Sequence, residues 1–162
     1  MNDIITNKNH LFIFNKDNNF KKLLRKSLLS IRNRSRLLVH LTKNNLIQEM
    51  FIVAQQNSHM PVHRHPKNKT ESYHIIFGKL RVFIFNNDQS VNKYFDLDSK
   101  KNFYLRFSKA NFWHMPVVLS KFCYFKETFS GPFNKQKDVI FPKWKKIINT
   151  KNYLKNLRNY ES

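Results

Sequence analysis

The chain has 162 residues, of which 41% are hydrophobic and sixteen are Phe, and it carries a net charge of +20 at pH 7. That length suits one domain with a buried core, and the apolar content excludes an intrinsically disordered chain. No apolar run reaches the length of a membrane span, and a single cysteine, Cys123, excludes an intrachain disulfide.

The N-terminus places Asn2, Asp3, Asn7, Lys8 and Asn9 where a secretory signal would need apolar residues. With the lone cysteine this gives the expectation of a cytoplasmic protein that makes no use of a membrane. The positive charge would attract a polyanion. However, the lysines are scattered singly and in pairs, and no zinc-finger, RNP or helix-turn-helix pattern organises them. Residues with A/T-rich codons (Lys, Asn, Ile, Phe, Tyr) are all plentiful, which accounts for the charge by composition. Nucleic acid is therefore not the expected partner.

Residues 1–17 are polar with one apolar island, and read as an edge strand or a loose arm. Phe20, Leu23, Leu24, Leu28 and Ile31 then recur at helical spacing, which predicts a helix over about 18–29 with Asp17 or Asn18 as its N-cap. Ser30–His40 reads as loop running into strand and carries Arg32, Arg34 and Arg36. Spaced arginines either grip a carboxylate or phosphate or stand as solvated charges; Arg32 and Arg34 are the ligand-binding candidates. From Leu46 the chain reads as strands at 47–54, 72–77, 80–85, 91–95, 103–107, 113–119 and 122–129, separated by turn clusters. Many short strands without interleaved helices predict an all-β sandwich or closed barrel. The expected organisation is an N-terminal arm and helix at 1–45, a barrel at 46–144 and a tail at 145–162. The tail would form a short helix against the barrel, using Ile147, Ile148, Leu154 and Leu157 among others.

The residues that promise chemistry begin at His63. In a strand, residues i and i+2 point the same way, so His63 and His65 project together while Arg64 points away. A polar loop returns Glu71 at the start of the next strand, on one face with Tyr73, Ile75 and Phe77. His114 follows a turn and can approach from a neighbouring strand. Imidazoles with one carboxylate suit a single divalent transition metal (Fe, Mn, Ni, Co or Zn) and leave two positions of an octahedral ion open. The metal-ligand candidates are thus His63, His65, Glu71 and His114. Tyr73 and Glu127 are weak catalytic candidates for acid-base work. His74 lies on the opposite face from Glu71, and Cys123 reads as a buried, inert thiol.

These stretches resemble the cupin superfamily, whose first motif is His-X-His, a short gap, Glu, six residues and Gly. Glu71 to Gly78 fits that spacing; the gap from His65 to Glu71 is five residues, against three or four in the general motif. The second motif is matched around His114 with Lys109 for its Pro, Asn111 for its Gly and Val118 for its Asn. A nearer resemblance is to WbuC-type cupin-fold metalloproteins of surface-polysaccharide (O-antigen) gene clusters. It rests on His63-Arg64-His65-Pro66, on Phe112-Trp113-His114, and on Glu127-Thr128-Phe129-Ser130-Gly131-Pro132-Phe133 running on to Lys137-Asp138 and Phe141–Trp144. The resemblance implies a jelly-roll barrel, the four metal ligands named above, a sugar or sugar-nucleotide ligand and pairing into a homodimer through the outside of the barrel; the spaced arginines and the basic surface add the expectation that this ligand is anionic. It implies no settled reaction: an isomerase-, epimerase- or dioxygenase-like enzyme and a non-catalytic carbohydrate sensor or scaffold are both compatible with it.

Overall fold

A computed structural model describes residues 3–144 and 150–161. Among these residues, nine strands form two sheets. They are β1 (Ile4–Thr6), β2 (Arg34–Leu38), β3 (Ile47–Gln55), β4 (Glu71–Phe77), β5 (Lys79–Phe85), β6 (Val91–Asp98), β7 (Tyr104–Phe107), β8 (Trp113–Val118) and β9 (Phe122–Ser130). The larger sheet runs β1-β2-β3-β9-β4-β7 and the smaller β6-β5-β8. Every pairing is antiparallel except β1 with β2. Helices α1 (Lys21–Leu29), α2 (Lys135–Asp138) and α3 (Thr150–Arg158) complete the chain.

The strand sequences show why this is a layered structure. In β5, Leu80, Val82 and Ile84 face inward, where they meet Ile52, Tyr73, Ile75 and Phe125 of the larger sheet. The alternate residues Phe83 and Phe85 are also buried, but with Met115, Val117, Leu154 and Leu157, under α3. On the far side of the larger sheet, Val53, Leu37 and Tyr124 pack against Leu23 of α1. Helix α1 thus covers part of the outer face of the larger sheet and α3 part of that of the smaller one, which is why β5 reads as a nearly continuous apolar run, while β4 and β6 keep exposed residues on their outer faces.

Several expectations need adjusting. The helix starts at Lys21, after a π-helical turn at Lys16–Phe20. Its N-cap position, Phe20, makes no side-chain cap bond. Asn15 caps the π turn instead, its Oδ1 accepting from the Asn18 N–H at 3.0 Å; the Asp17 side chain lies outside the described set. The first residues do supply an edge strand, β1. His63 and His65 sit in an extended segment outside the named strands, held by bridges from His63 to His114 and from Arg64 to Ile140. Phe77 does not continue the inner face of β4. The register shifts between Ile75 and Phe77, and Phe77 turns outward to 55% exposure, its ring stacked on Phe122 at 5.2 Å. In the tail, Ile147 and Ile148 lie outside the described residues, while Leu154 and Leu157 are buried.

Both glycines answer a steric demand. Gly78 has φ +86°, and a Cβ there would meet the Phe122 carbonyl oxygen at 2.5 Å. At Gly131 a Cβ would meet the Asn45 carbonyl oxygen at 1.9 Å. The cover provided by α3 is testable. Leu154→Ala removes a side chain that is 1% exposed, and should lower stability by about 2–5 kcal/mol in urea unfolding, whereas Lys151→Ala on the exposed face of α3 should leave it nearly unchanged.

Candidate metal centre

His63, His65, Glu71 and His114 come together at one end of the barrel. Each offers one ligand atom, and these atoms all lie within 4.8 Å of one another. Three separate elements supply them. The extended segment brings His63 and His65, β4 begins with Glu71, and β8 carries His114. Backbone bonds lock the segment to β8: the His63 N–H donates to the His114 carbonyl at 3.1 Å and the His114 N–H returns to His63 at 2.8 Å. The loop with the extra residue is held as well. The His65 N–H donates to Ala110 at 2.7 Å, and Thr70 exchanges bonds with Ser130 at 2.8 and 2.9 Å.

The imidazoles are all oriented in the same way. Nδ1 of His63 lies 2.9 Å from the Pro61 carbonyl, Nδ1 of His114 lies 2.8 Å from that of Phe112, and Nδ1 of His65 meets that of Asp138. A carbonyl can only accept, so each Nδ1 carries the proton and each neutral ring leaves Nε2 bare. Nε2 of His114 and of His65 then face Glu71 Oε2 at 3.0 and 3.4 Å. All three of these atoms are buried without a hydrogen-bond partner. Bare nitrogens aimed at a carboxylate oxygen are a costly arrangement. A divalent cation among them would satisfy every one, so the residues fit a metal, and the three-nitrogen, one-oxygen donor set suits Fe, Mn, Ni, Co or Zn.

The surroundings reinforce that arrangement. Burial would raise the Glu71 carboxyl, but His114 and His65 outweigh it and hold the group well below the usual carboxylate range. Burial, and then His114, push His63 down to about 3. Burial opposes charge on His65 too, yet Glu71 carries it above the ordinary imidazole value. Tyr73, beside Glu71 on the inner face, donates to Glu71 Oε1 at 2.9 Å and so turns Oε2 toward the histidines. Burial, and then the Glu71 charge, raise its hydroxyl well above the ordinary tyrosine value. Phe129 and Phe107 wall the cluster, with ring centroids 4.6 Å from His65 and 5.3 Å from His114.

The remaining sequence candidates fall in different places. Glu127 pairs with Tyr73 across β9 and β4; burial first, and the Glu71 carboxylate second, push it up to about 7. Arg32 is engaged by Asp3, its Nη2 and Nε donating at 2.6 and 2.9 Å. Arg34 donates from Nη1 to the His59 carbonyl at 2.6 Å. Arg64 points away from the cluster and lies over the Trp113 ring at 4.3 Å. His74 is exposed beside Phe103, and the Cys123 thiol is buried and free, with burial raising its pKa.

Sequence reasoning missed the role of Lys69 and Asp138. Buried Lys69 donates to the Pro132 carbonyl at 2.7 Å and lies 3.4 Å from Asp138 Oδ2. Asp138 Oδ2 also accepts from the Asn134 N–H at 2.7 Å. The Asp138 carbonyl that orients His65 is therefore fixed by its own side chain. The signal was the run from Glu127 through Asp138, read only as a family marker.

A family model described as a domain of unknown function (DUF6016) matches residues 15–97, just over half the chain. The chain belongs to that family. No curated protein matches it. Among solved structures it is similar to CapF bound to 3-isopropenyl-tropolone, with a TM-score of 0.58 at 15% identity over 82% of this chain and 42% of that one. It is similar also to the capsular polysaccharide assembling protein CapF from Staphylococcus aureus, with a TM-score of 0.52 at 15% identity over 68% and 30%. Oxalate oxidase in complex with the substrate analogue glycolate gives a TM-score of 0.51 at 12% identity over 69% and 56%. The chain spans 30–56% of the length of these proteins. These likenesses establish the cupin fold, an all-β jelly roll with an N-terminal helix.

Two outcomes follow from the geometry. Asp138→Ala should leave the four ligand side chains in place but weaken metal affinity about 10–100-fold, read by competition against a chelating dye. Apparent affinity should also fall as the pH is lowered, because protons compete for Nε2. The fall should begin above the ordinary imidazole value, since Glu71 favours the His65 imidazolium, and it should reverse on return to neutral pH.

Proposed function

We propose that this protein is a cupin metalloprotein whose four-residue centre binds one divalent transition metal and acts on, or holds, a sugar or sugar nucleotide. The observation that carries the reading is the convergence of two bare, buried imidazole nitrogens and an unpartnered carboxylate oxygen, with His63 completing the cluster. The WbuC-type resemblance of the His63–Pro66, Phe112–His114 and Glu127–Phe133 stretches supports a place in surface-polysaccharide (O-antigen) biosynthesis. One neighbour of the same fold is named for capsular polysaccharide assembly, in keeping with that setting.

A divalent ion in this centre would supply Lewis acidity toward a carbonyl or hydroxyl of the substrate. The protein's own residues have distinct tasks. Tyr73 orients Glu71 through its hydrogen bond. Phe107 and Phe129 keep water from the inner side of the cluster. Glu127, poised at about 7, is the group able to hold or pass a proton at neutral pH, whereas the Tyr73 hydroxyl is committed to Glu71. A copy of this chain paired through the outer barrel surface belongs to the same reading.

Elemental analysis of protein purified without a metal-affinity tag should find one Fe, Mn, Ni, Co or Zn per chain. His63→Ala and His114→Ala should each abolish it while the protein stays folded. A folded wild-type chain that is metal-free and indifferent to all five ions would overturn the proposal. Incubation of the metal-loaded protein with a panel of nucleotide sugars, followed by mass spectrometry, should give converted product that Glu127→Gln slows by about 100-fold or more. Binding without conversion would make it the carbohydrate sensor instead.

A further inference from the structure

Strand β2 directs two arginines into the barrel. Arg34 pairs with Ala54 and Arg36 with Ile52, and those residues pair in turn with Cys123 and Phe125. All four partners belong to the core between the sheets. Partners directly opposite in a ladder share a face, so Arg34 and Arg36 leave the backbone on the inner face of the larger sheet. Glu71, Tyr73 and Glu127 occupy that same face.

Neither guanidinium is matched by a carboxylate. Arg34 makes its bond to the His59 carbonyl through Nη1, while its Nε is buried with no partner. Arg36 is half-buried, and no hydrogen bond or ion pair of its side chain occurs among the described residues. Asp3, whose backbone carbonyl accepts from the Arg36 N–H at 3.0 Å, has its carboxylate held by Arg32. Glu127 influences both arginines electrostatically but forms an ion pair with neither. Beside Arg34, Nε2 of His59 is likewise buried without a partner. Half-buried like charges on adjacent same-face positions repel each other, and two guanidinium forks present planar donor pairs suited to an oxyanion.

We propose that Arg34 and Arg36 form an anion subsite that holds the phosphate or carboxylate of a small molecule whose other end faces the His63, His65, Glu71 and His114 cluster. This rests on the reading of that cluster as a metal centre. Strand order sets the size of the ligand. β2 and β4 are separated by β3 and β9, and Arg36 is level with Ile52, Phe125 and Ile75, four residues along β4 from Glu71, so the Arg36 and Glu71 backbones stand roughly 19 Å apart on a flat sheet at the usual strand spacing and rise. Side chains of ordinary length leave a gap suited to a hexose phosphate or hexuronate, not to a two-carbon diacid. Of the two arginines, Arg36 was not singled out by its sequence, while Arg32 is excluded by its pairing with Asp3.

The test uses the full chain, at physiological salt, with three probes: glucose 1-phosphate, glucuronate and glucose. Calorimetric titration should show binding of at least one anionic sugar and none of glucose; which of the two binds more tightly identifies phosphate or carboxylate as the recognised group. Arg34→Gln and Arg36→Gln should each weaken that binding about tenfold or more. The double exchange Lys151→Gln/Lys155→Gln, which removes charge from exposed surface, should not. Metal content measured on the same samples should stay unchanged in both arginine variants. Phenylglyoxal labelling of the wild-type chain gives a readout that needs no variant: the anionic sugar should protect Arg34 and Arg36 but leave exposed Arg25 reactive. Absence of binding by either anionic sugar, equal weakening by the lysine exchange, or unprotected Arg34 and Arg36 would overturn the subsite. A wild-type chain without metal that still binds the sugar through these arginines would overturn the metal reading alone.

Discussion

Three imidazole rings whose Nδ1 protons are all committed to backbone carbonyls impose the central constraint on this fold. Once Pro61, Phe112 and Asp138 have taken those protons, the Nε2 lone pairs have no donor to meet. Two of them are buried against a carboxylate oxygen. Each such unpaired polar atom costs about 1–3 kcal/mol, so an empty cluster is unfavourable by an amount comparable to a sizeable part of a domain's net stability. A cation reverses the sign of that contribution. Much of the surrounding structure serves to hold this arrangement: the paired His63 and His114 backbones, the short helix that presents the Asp138 carbonyl, and the Tyr73 hydroxyl that fixes the carboxylate rotamer.

The layered architecture buries three of the four cluster residues, His65, Glu71 and His114, and leaves His63 partly exposed. Helix α1 covers part of the larger sheet and α3 part of the smaller one, so the strands beneath them are apolar on both faces. Phe83 and Phe85 bury themselves outward under α3 while Leu80, Val82 and Ile84 fill the inside. Low dielectric inside strengthens every charge interaction there. It accounts for Glu71 and Glu127 departing in opposite directions: a proton taken up by His114 or His65 holds Glu71 low, while burial and the Glu71 charge raise Glu127.

The parts of this fold that could be read from the sequence were those set by local rules. Alternation and turn clusters placed seven of the strands within a residue or a few of their observed bounds, because each run is bounded by polar turns. The pair His63 and His65 was legible because two residues at i and i+2 must project together in any extended backbone, even one held by isolated bridges. What escaped depended on contacts distant in sequence. The outward turn of Phe77 follows from a register shift against β9, which alternation along β4 alone cannot reveal. The late start of α1 follows from Asn15 capping a π turn, where a capping rule written for α-helices selected Asp17 or Asn18. Lys69 and Asp138 meet across a long stretch of chain, and nothing local marks either as part of the site.

The arginines of β2 show the same distinction in electrostatic terms. A spacing of two puts Arg32, Arg34 and Arg36 on one side only while the strand lasts, and β2 begins at Arg34. Arg32 therefore leaves the series and is neutralised by Asp3, whereas Arg34 and Arg36 remain on the inner face. With a divalent ion in the cluster, the positive charge on that face would outweigh the single firmly ionised carboxylate, Glu71, and a Glu127 that is only partly ionised near neutral pH. A low-dielectric interior does not tolerate such an excess without a counter-charge. The surface charge of +20 would raise the local concentration of anions around the whole molecule, but it cannot choose among them. Selection falls to the interior, where the two unmatched guanidinium groups and the metal centre define both the sign and the length of what fits.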